Sequence, residues 1–216
     1  VYLGEMITNI PFPPDRPVTE DCGDCTLCID SCPTGALVGP GQLNAQRCLS
    51  FITQTKGWVD DEFKAKLGNR LYGCDTCQLV CPKNRGKNWT HHPEMTPDPE
   101  QVKPLLIPLL EMSNREFKAR FGEAAASWRG KKPIQRNAVI ALGNFRDKSA
   151  VPALRKVLLH DERPVLRGTA AWSLGKIGGQ AALEAIDEAL ERETDDEVRQ
   201  HLEQARTQCL AKERAE

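Results

Sequence analysis

The chain has 216 residues, 40% hydrophobic and 27% charged, with a formal net charge of −1. That length suits one large or two small domains with a real core. A charge so near zero excludes a global field announcing a polyanionic partner, though not a local basic patch. No apolar run approaches the roughly 18–20 residues that span a bilayer, since the longest, Leu105–Leu110, is interrupted by Pro108.

In chain order, Val1–Ile7 is mostly apolar and begins without Met. It reads as the end of some structural element, so the chain is expected to be a fragment whose upstream part is missing. The start lacks the basic, apolar and small-residue regions of a secretion signal, and a cytoplasmic location with no membrane partner is expected. Residues 1–20 form a lead-in crowded with Pro11, Pro13, Pro14 and Pro17. Proline fixes φ and removes a donor, so extended chain is predicted there.

Residues 21–90 hold eight of the nine cysteines. The first set is Cys22-x2-Cys25-x2-Cys28-x3-Cys32-Pro33, the second is Cys74-x2-Cys77-x3-Cys81-Pro82, and Cys48 stands between them. The first set matches the bacterial ferredoxin run. Two-residue gaps in a tight loop let three sulfurs converge on one cubane cluster. The fourth cysteine is expected to have started a helix beside its proline, a favoured first-turn residue, and to face a second cluster. This rule assigns Cys22, Cys25, Cys28 and Cys81 to cluster I, and Cys32, Cys48, Cys74 and Cys77 to cluster II. A zinc ribbon with four thiolates is the rival, but it would strand the other four cysteines and explain neither Cys-Pro pair. Residues 49–73 are an insertion with an amphipathic stretch (Phe63, Leu67, Leu71) and Trp58, expected to contact something outside the cluster loops. Cys209 reads as a small, semi-buried apolar residue.

Residues 91–104 form a second Pro-rich linker, in which His91 and His92 read as solvated connector residues. Residues 105–216 are expected to be helical. Ser113-Asn114-Arg115-Glu116 fits a capping box opening a helix through about Arg120, and Thr194-Asp195-Asp196-Glu197 fits a second. The segment Asn137–Gly143 aligns with Thr169–Gly175 at an offset of 32, and Arg167 with Arg199 begins a third, truncated unit. A period in this range, with two helices per unit, resembles short HEAT-like repeats. Each first helix is expected to be amphipathic and to end at Leu-Gly, with the glycine at C′. The fold class is therefore α+β: a ferredoxin-like double [4Fe–4S] domain followed by an α-helical HEAT-like repeat domain.

No dinucleotide or Walker sequence accompanies the cysteines. Basic residues cluster at Lys83, Arg85 and Lys87 and between Arg115 and Arg136, with Trp128 among them. Such density is able to hold phosphates, and Lys83, Arg85, Lys131, Lys132 and Arg136 are the candidates.

The cysteine module, Gln46–Thr53 with Lys56-Gly57, the run Tyr72–Pro82, the lead-in Tyr2–Met6 and the repeats carrying Arg136-Asn137-Ala138 and Ala141–Asn144 together resemble the epoxyqueuosine reductase family. The resemblance implies reduction of epoxyqueuosine to queuosine at the wobble position of tRNA, using a cobalamin reduced through two [4Fe–4S] clusters. It implies a tRNA anticodon stem-loop and an external electron donor of flavodoxin or ferredoxin type as partners, and a monomer. In the family an N-terminal domain supplies most of the cobalamin pocket and the proton-donating acid, and nothing here corresponds to it. No catalytic residue is therefore named, and the chain alone is expected to be inactive. Ser50 and Thr53, beside Cys48, are candidates for contact with cobalamin or tRNA. Two alternatives remain: a stand-alone ferredoxin-type electron carrier with a helical protein-docking domain, and the cluster domain of another cobalamin reductase such as a reductive dehalogenase.

Overall fold

The computed structural model describes residues 4–17, 21–87, 93 and 96–213. His91 and His92 lie outside the described residues, as do Tyr2 and Leu3 of the lead-in. Residues 4–17 have no helix or strand and are exposed throughout, as their prolines dictate.

The cysteine-bearing part is built from short elements. Helix α1 is the single turn Leu27–Asp30. Strands β1 (Leu37–Gly39) and β2 (Gln42–Leu43) form an antiparallel hairpin in which Leu37 faces Leu43. Pro40-Gly41 closes it, with Gly41 at φ +66°, the positive angle that the third residue of a type II turn demands. Helices α2 (Leu49–Ile52) and α3 (Asp61–Leu67) make up the insertion, and α4 (Thr76–Leu79) is a second single turn. The second linker contains a helix of its own, α5 (Pro99–Val102). Asp98 caps it by accepting from the Glu100 N–H at 2.9 Å, and Pro99 stands at its first position.

Helices α6 (Leu106–Glu111) and α7 (Asn114–Phe121) lead into the repeats. The capping box of α7 is present: Ser113 Oγ accepts from the Glu116 N–H, and Glu116 accepts from the Ser113 N–H at 2.8 Å. The repeats follow as α8 (Lys131–Phe145) with α9 (Val151–His160), α10 (Pro164–Ile177) with α11 (Gln180–Arg192), and the lone α12 (Asp196–Glu213). Their core gathers Val139, Leu154, Leu158, Leu174, Ile186 and Leu202, with Cys209 fully buried beside them.

Three expectations are corrected here. The box at Thr194 is one residue out of register. Asp195 is the cap, its carboxylate accepting from the Glu197 and Val198 N–H groups at 3.1 Å each. Gly143 and Gly175 do not end their helices but lie inside α8 and α10. A Cβ on Gly143 would meet Ser173 Cα at 2.8 Å, and one on Gly175 would meet Ala205 Cα at 2.9 Å. The repeated glycine thus marks where successive repeat helices cross too closely for a side chain. Nor is α10 amphipathic: Gly168 to Gly175 are buried without interruption, because the insertion covers the face that the repeats leave open.

That insertion is what joins the two parts. Leu49, Ile52, Val59, Phe63 and Leu67 pack with Ile140 of α8 and Trp172 of α10. Full burial of each large apolar side chain contributes roughly 1.5–3 kcal/mol. Trp58 fits against Gly168, where an added Cβ would meet its ring at 2.5 Å, and stacks on His201 with ring centroids 4.7 Å apart. Helix α8 also grips the insertion through its backbone. Arg136 donates to the carbonyls of Ile52, Thr55 and Gly57 at 2.7–3.0 Å. Asn137 Nδ2 donates to Thr53 and Leu71, and Asn144 Nδ2 to Lys64 and Gly68.

Candidate metal centre and basic cleft

The two cysteine runs fold alike. A shift of 49 residues places Cys25, Cys28 and Cys32 on Cys74, Cys77 and Cys81. In each run the middle cysteine sits on a one-turn helix, Cys28 on α1 and Cys77 on α4. Each turn closes with the same bond, Ile29 N–H to Thr26 O at 2.8 Å and Gln78 N–H to Asp75 O at 2.9 Å. The two turns pack against each other. The same shift sets Leu71 where Cys22 stands in the first run.

The expected helix start at the fourth cysteine forms only in the second run, as a single 3₁₀ turn that begins after Cys81 with Pro82 in its first turn, and not after Cys32. The helical turn precedes Cys32 and Cys81. Pro33 then opens a turn through Gly35, at φ +61°, and Pro82 opens a single 3₁₀ turn over Pro82–Asn84. The reversal after Cys32 serves its sulfur: the Ala36 N–H donates to Cys32 Sγ at 3.2 Å. Burial alone would raise the Cys32 thiol, but backbone N–H groups of Leu37, Thr34 and Ala36 outweigh it and bring the group below its ordinary value. Donors aimed at sulfur favour the thiolate. In the second run Thr76 Oγ1 lies 3.4 Å from Cys74 Sγ.

Cys48 stands at the residue before α2 and makes no side-chain bond to the helix start. Burial pushes the Cys77 thiol up, and the nearby Cys74 and Cys48 thiols add to the shift, so each of them lies within electrostatic reach of Cys77. None of the cysteines is in a disulfide, and Cys22 and Cys25 are exposed. Among the described residues no three His, Cys, Asp or Glu side chains gather closely enough to hold a single metal ion. The donor set, soft thiols with a backbone N–H on the Cys32 sulfur and a threonine hydroxyl beside Cys74, suits iron–sulfur chemistry.

Ser50 and Thr53 are placed otherwise than as ligand contacts. Thr53 is fully buried; its hydroxyl donates to Ser50 O at 2.9 Å and accepts from the Gly73 N–H at 3.0 Å. It ties the insertion to the second cysteine run. Ser50 is half-buried, and its carbonyl also accepts from Gln54. The Thr53 hydroxyl is thus engaged on both sides within the protein.

The basic residues divide into two places. Lys83 and Arg85 are exposed just beyond Cys81. Lys131 and Lys132 line a cleft of about 500 Å³ together with Lys56, Arg129, Arg136 and Arg163, and no acidic residue lines it. Arg136 corrects its nomination, for it is only 2% exposed and its guanidinium is spent on backbone carbonyls and Asn137 Oδ1. Arg163 was not foreseen. The signal existed, because the repeat offset of 32 carries Lys131 onto Arg163.

A double cysteine run on facing helical turns, locked to stacked helical pairs, defines an iron–sulfur protein with a helical-repeat extension. Residues 21–84 match the 4Fe-4S double cluster binding domain, and residues 129–206 match HEAT repeats. The epoxyqueuosine reductase of Bacillus subtilis (strain 168) is 64% identical over 203 residues, which are 94% of this chain and 53% of that protein. A protein of Geobacillus stearothermophilus, described only by its place in the gldA 3′ region, is 61% identical over 94% of both chains. A crystal structure of epoxyqueuosine reductase with an epoxyqueuosine-modified tRNA-Tyr stem loop superposes with a TM-score of 0.90 at 61% identity, over 94% of this chain and 54% of that one. The chain belongs to the epoxyqueuosine reductase family, and spans about half the length of the curated reductases it matches.

Proposed function

We propose that this chain is the electron-relay and tRNA-docking portion of an epoxyqueuosine reductase. The observation that carries the reading is the packing of α1 on α4, which sets two equivalent cysteine runs face to face and against the repeat helices through the insertion. Cys22, Cys25, Cys28 and Cys81 would hold cluster I, and Cys32, Cys48, Cys74 and Cys77 cluster II. Bound [4Fe–4S] clusters supply one-electron relay. The chain's own groups set the environment: the Ala36 N–H on Cys32 stabilises thiolate charge, the Thr76 hydroxyl lies beside Cys74, and the insertion buries Leu49 and Ile52 next to Cys48.

The substrate in this reading is a wobble nucleotide of a tRNA anticodon loop, where unpaired bases can be splayed out for chemistry. The basic repeat side holds the RNA. Cobalamin and the proton-donating acid belong to the part of the family's length that this chain does not span, so the chain alone is inactive, a cytoplasmic monomer fed by a flavodoxin- or ferredoxin-type donor. Among the described residues no helix is long and apolar enough to cross a membrane.

The test is iron and acid-labile sulfide per chain after anaerobic purification. About eight of each is expected, the sum of two four-iron clusters. Cys48→Ser is expected to lose about half of both, and Cys209→Ser none. Zinc with little sulfide overturns the relay. The alternative, a stand-alone carrier with a protein-docking tail, predicts tight binding to a redox partner and no binding to tRNA.

A further inference from the structure

The shift of 49 residues that aligns the two cysteine runs also shows where they differ, for it sets Arg70 on Asp21 and Thr76 on Leu27. Arg70 is half-buried and fixed at the end of α3, where Nη1 donates to Leu67 O at 3.1 Å and to Lys66 O at 3.4 Å. Its Nη2 donates to Thr76 Oγ1 at 3.0 Å, and Thr76 Oγ1 lies 3.4 Å from Cys74 Sγ. A guanidinium only donates, so the hydroxyl oxygen accepts from it. A cysteine that holds a cluster is a thiolate, with no proton to give. The one hydroxyl proton is then left for the sulfur. Among the described residues no carboxylate pairs with Arg70. The first run is built the other way. Between Cys22 and Cys32 it carries Asp24 and Asp30 and no Lys or Arg. Asp21 accepts from the Gly23 N–H at 2.8 Å, and the Thr26 hydroxyl donates to Asp30 at 2.7 Å. Lys83 and Arg85 follow Cys81 but are exposed, where salt screens a charge. The Ala36 N–H adds its bond on Cys32, so the donors on sulfur fall on the set assigned to cluster II.

We infer that Arg70 is a positioning residue which, by holding the Thr76 hydroxyl on the Cys74 sulfur, sets cluster II at a higher reduction potential than cluster I. The inference rests on the cluster reading above and deepens it, since two centres held by like loops are made unlike. Reduction adds one electron to a cluster, moves no proton and breaks no bond. A hydrogen-bond donor on a ligating sulfur favours the form with the extra negative charge and raises the potential. Carboxylates nearby act in the opposite sense. The guanidinium strengthens the bond from behind, because hydrogen bonds in a chain polarise one another. Asn144 of α8 holds the same end of α3 through Gly68 O at 2.9 Å, so a repeat helix steadies the turn from which Arg70 reaches.

The experiment is a mediated potentiometric titration of the cluster-loaded full chain with dithionite, followed by EPR and visible absorbance. Wild type is expected to reduce in two separate one-electron steps. Thr76→Val removes the hydroxyl at nearly constant volume. It is expected to lower the equilibrium constant of the upper step about ten-fold, about 59 mV for one electron, and to leave the lower step in place. Thr76→Ser keeps the donor and is expected to stay within about two-fold of wild type. Thr26→Val removes a hydroxyl that faces a carboxylate, and is expected to move neither step. Arg70→Gln is expected to lower the upper step several-fold, yet to add nothing in the Thr76→Val background, because it acts through that hydroxyl. Iron and sulfide of about eight each confirm that a variant is loaded; should Thr76→Val lose iron, Arg70→Gln against Thr76→Ser carries the same comparison. Coincident steps in wild type, or an unmoved upper step in Thr76→Val, overturn the inference and leave the cluster reading standing. Additive losses in the Arg70→Gln/Thr76→Val double also overturn it, since the charge would then act without the hydroxyl. A wild type that holds zinc and no reducible centre takes both away.

Discussion

Arg136 stands in a run of basic residues, and residue type alone makes it a phosphate ligand. Its position decides otherwise. The stretch Pro133–Gly143 is buried on every side, so a side chain there meets backbone before it meets solvent, and Arg136 closes a set of carbonyls that the insertion cannot satisfy by itself. Burial of this kind has no mark in the sequence, because it depends on the insertion folding over α8. The glycine at Leu142-Gly143 was legible as a position with a meaning, but the meaning differed. A helix-ending glycine is wanted for its backbone freedom; this one is wanted for the absence of a Cβ, at a helical φ. At an interior helical site Gly→Ala alone would stabilise by about 1 kcal/mol. Gly143→Ala is instead expected to destabilise by about 1–3 kcal/mol, since the new methyl meets Ser173 backbone and overpacks the crossing. Urea unfolding followed by circular dichroism checks the sign.

Among the elements, those announced by local chemistry were readable: the proline lead-in, the box at Ser113, the repeated helix pairs. The cap of α12 slipped by one because Thr194 and Asp195 are both good caps, and only the structure shows the Asp195 carboxylate on the Glu197 and Val198 N–H groups. The helical turns before Cys32 and Cys81 were misplaced for a similar reason. Proline beside each cysteine signals a turn equally well, and the tight loop of thiols leaves room for one helical turn only ahead of it. The contact between the insertion and α12 brings a pH response. His201 packs on Trp58, and burial first, then the Lys64 charge, lowers its pKa against the opposing pull of Asp61 and Glu197. The unfolded chain then takes up its proton at a higher pH than the folded one. Stability is full above the ordinary histidine range and is lost as pH falls through it. Melting temperature is expected to drop between pH 8 and pH 5.5, with a shallower drop in His201→Gln; equal slopes for the two proteins would remove His201 from the account.

Taken whole, the molecule's order of parts was visible in the cysteine spacing and the period of 32, and its seam was not. The insertion was expected to reach something, and that something is the chain's own α8 and α10. Phe63 belongs to the cysteine-bearing part by sequence and to the repeat core by packing. Phe63→Ala is therefore expected to cost about 3–5 kcal/mol and to lower the melting temperature read from the repeat helices, not merely to loosen the cluster loops. Loss of iron with unchanged helix melting would mean that the two parts unfold independently.

The grip of α8 on the insertion has a consequence for how this chain tolerates change over time. Arg136, Asn137 and Asn144 hold main-chain carbonyls, of Ile52, Thr53, Thr55, Gly57, Lys64, Gly68 and Leu71. Every residue type offers that same oxygen. Outside its apolar positions, the buried Thr53 and the positive-φ glycines Gly57 and Gly68, then, the insertion is free to drift in composition so long as its path is kept, whereas adding or deleting one residue between Ile52 and Leu71 shifts the whole row of acceptors out of reach. Selection at this boundary acts on length rather than on identity, and the memory of the fit is kept in three polar side chains on the opposite helix.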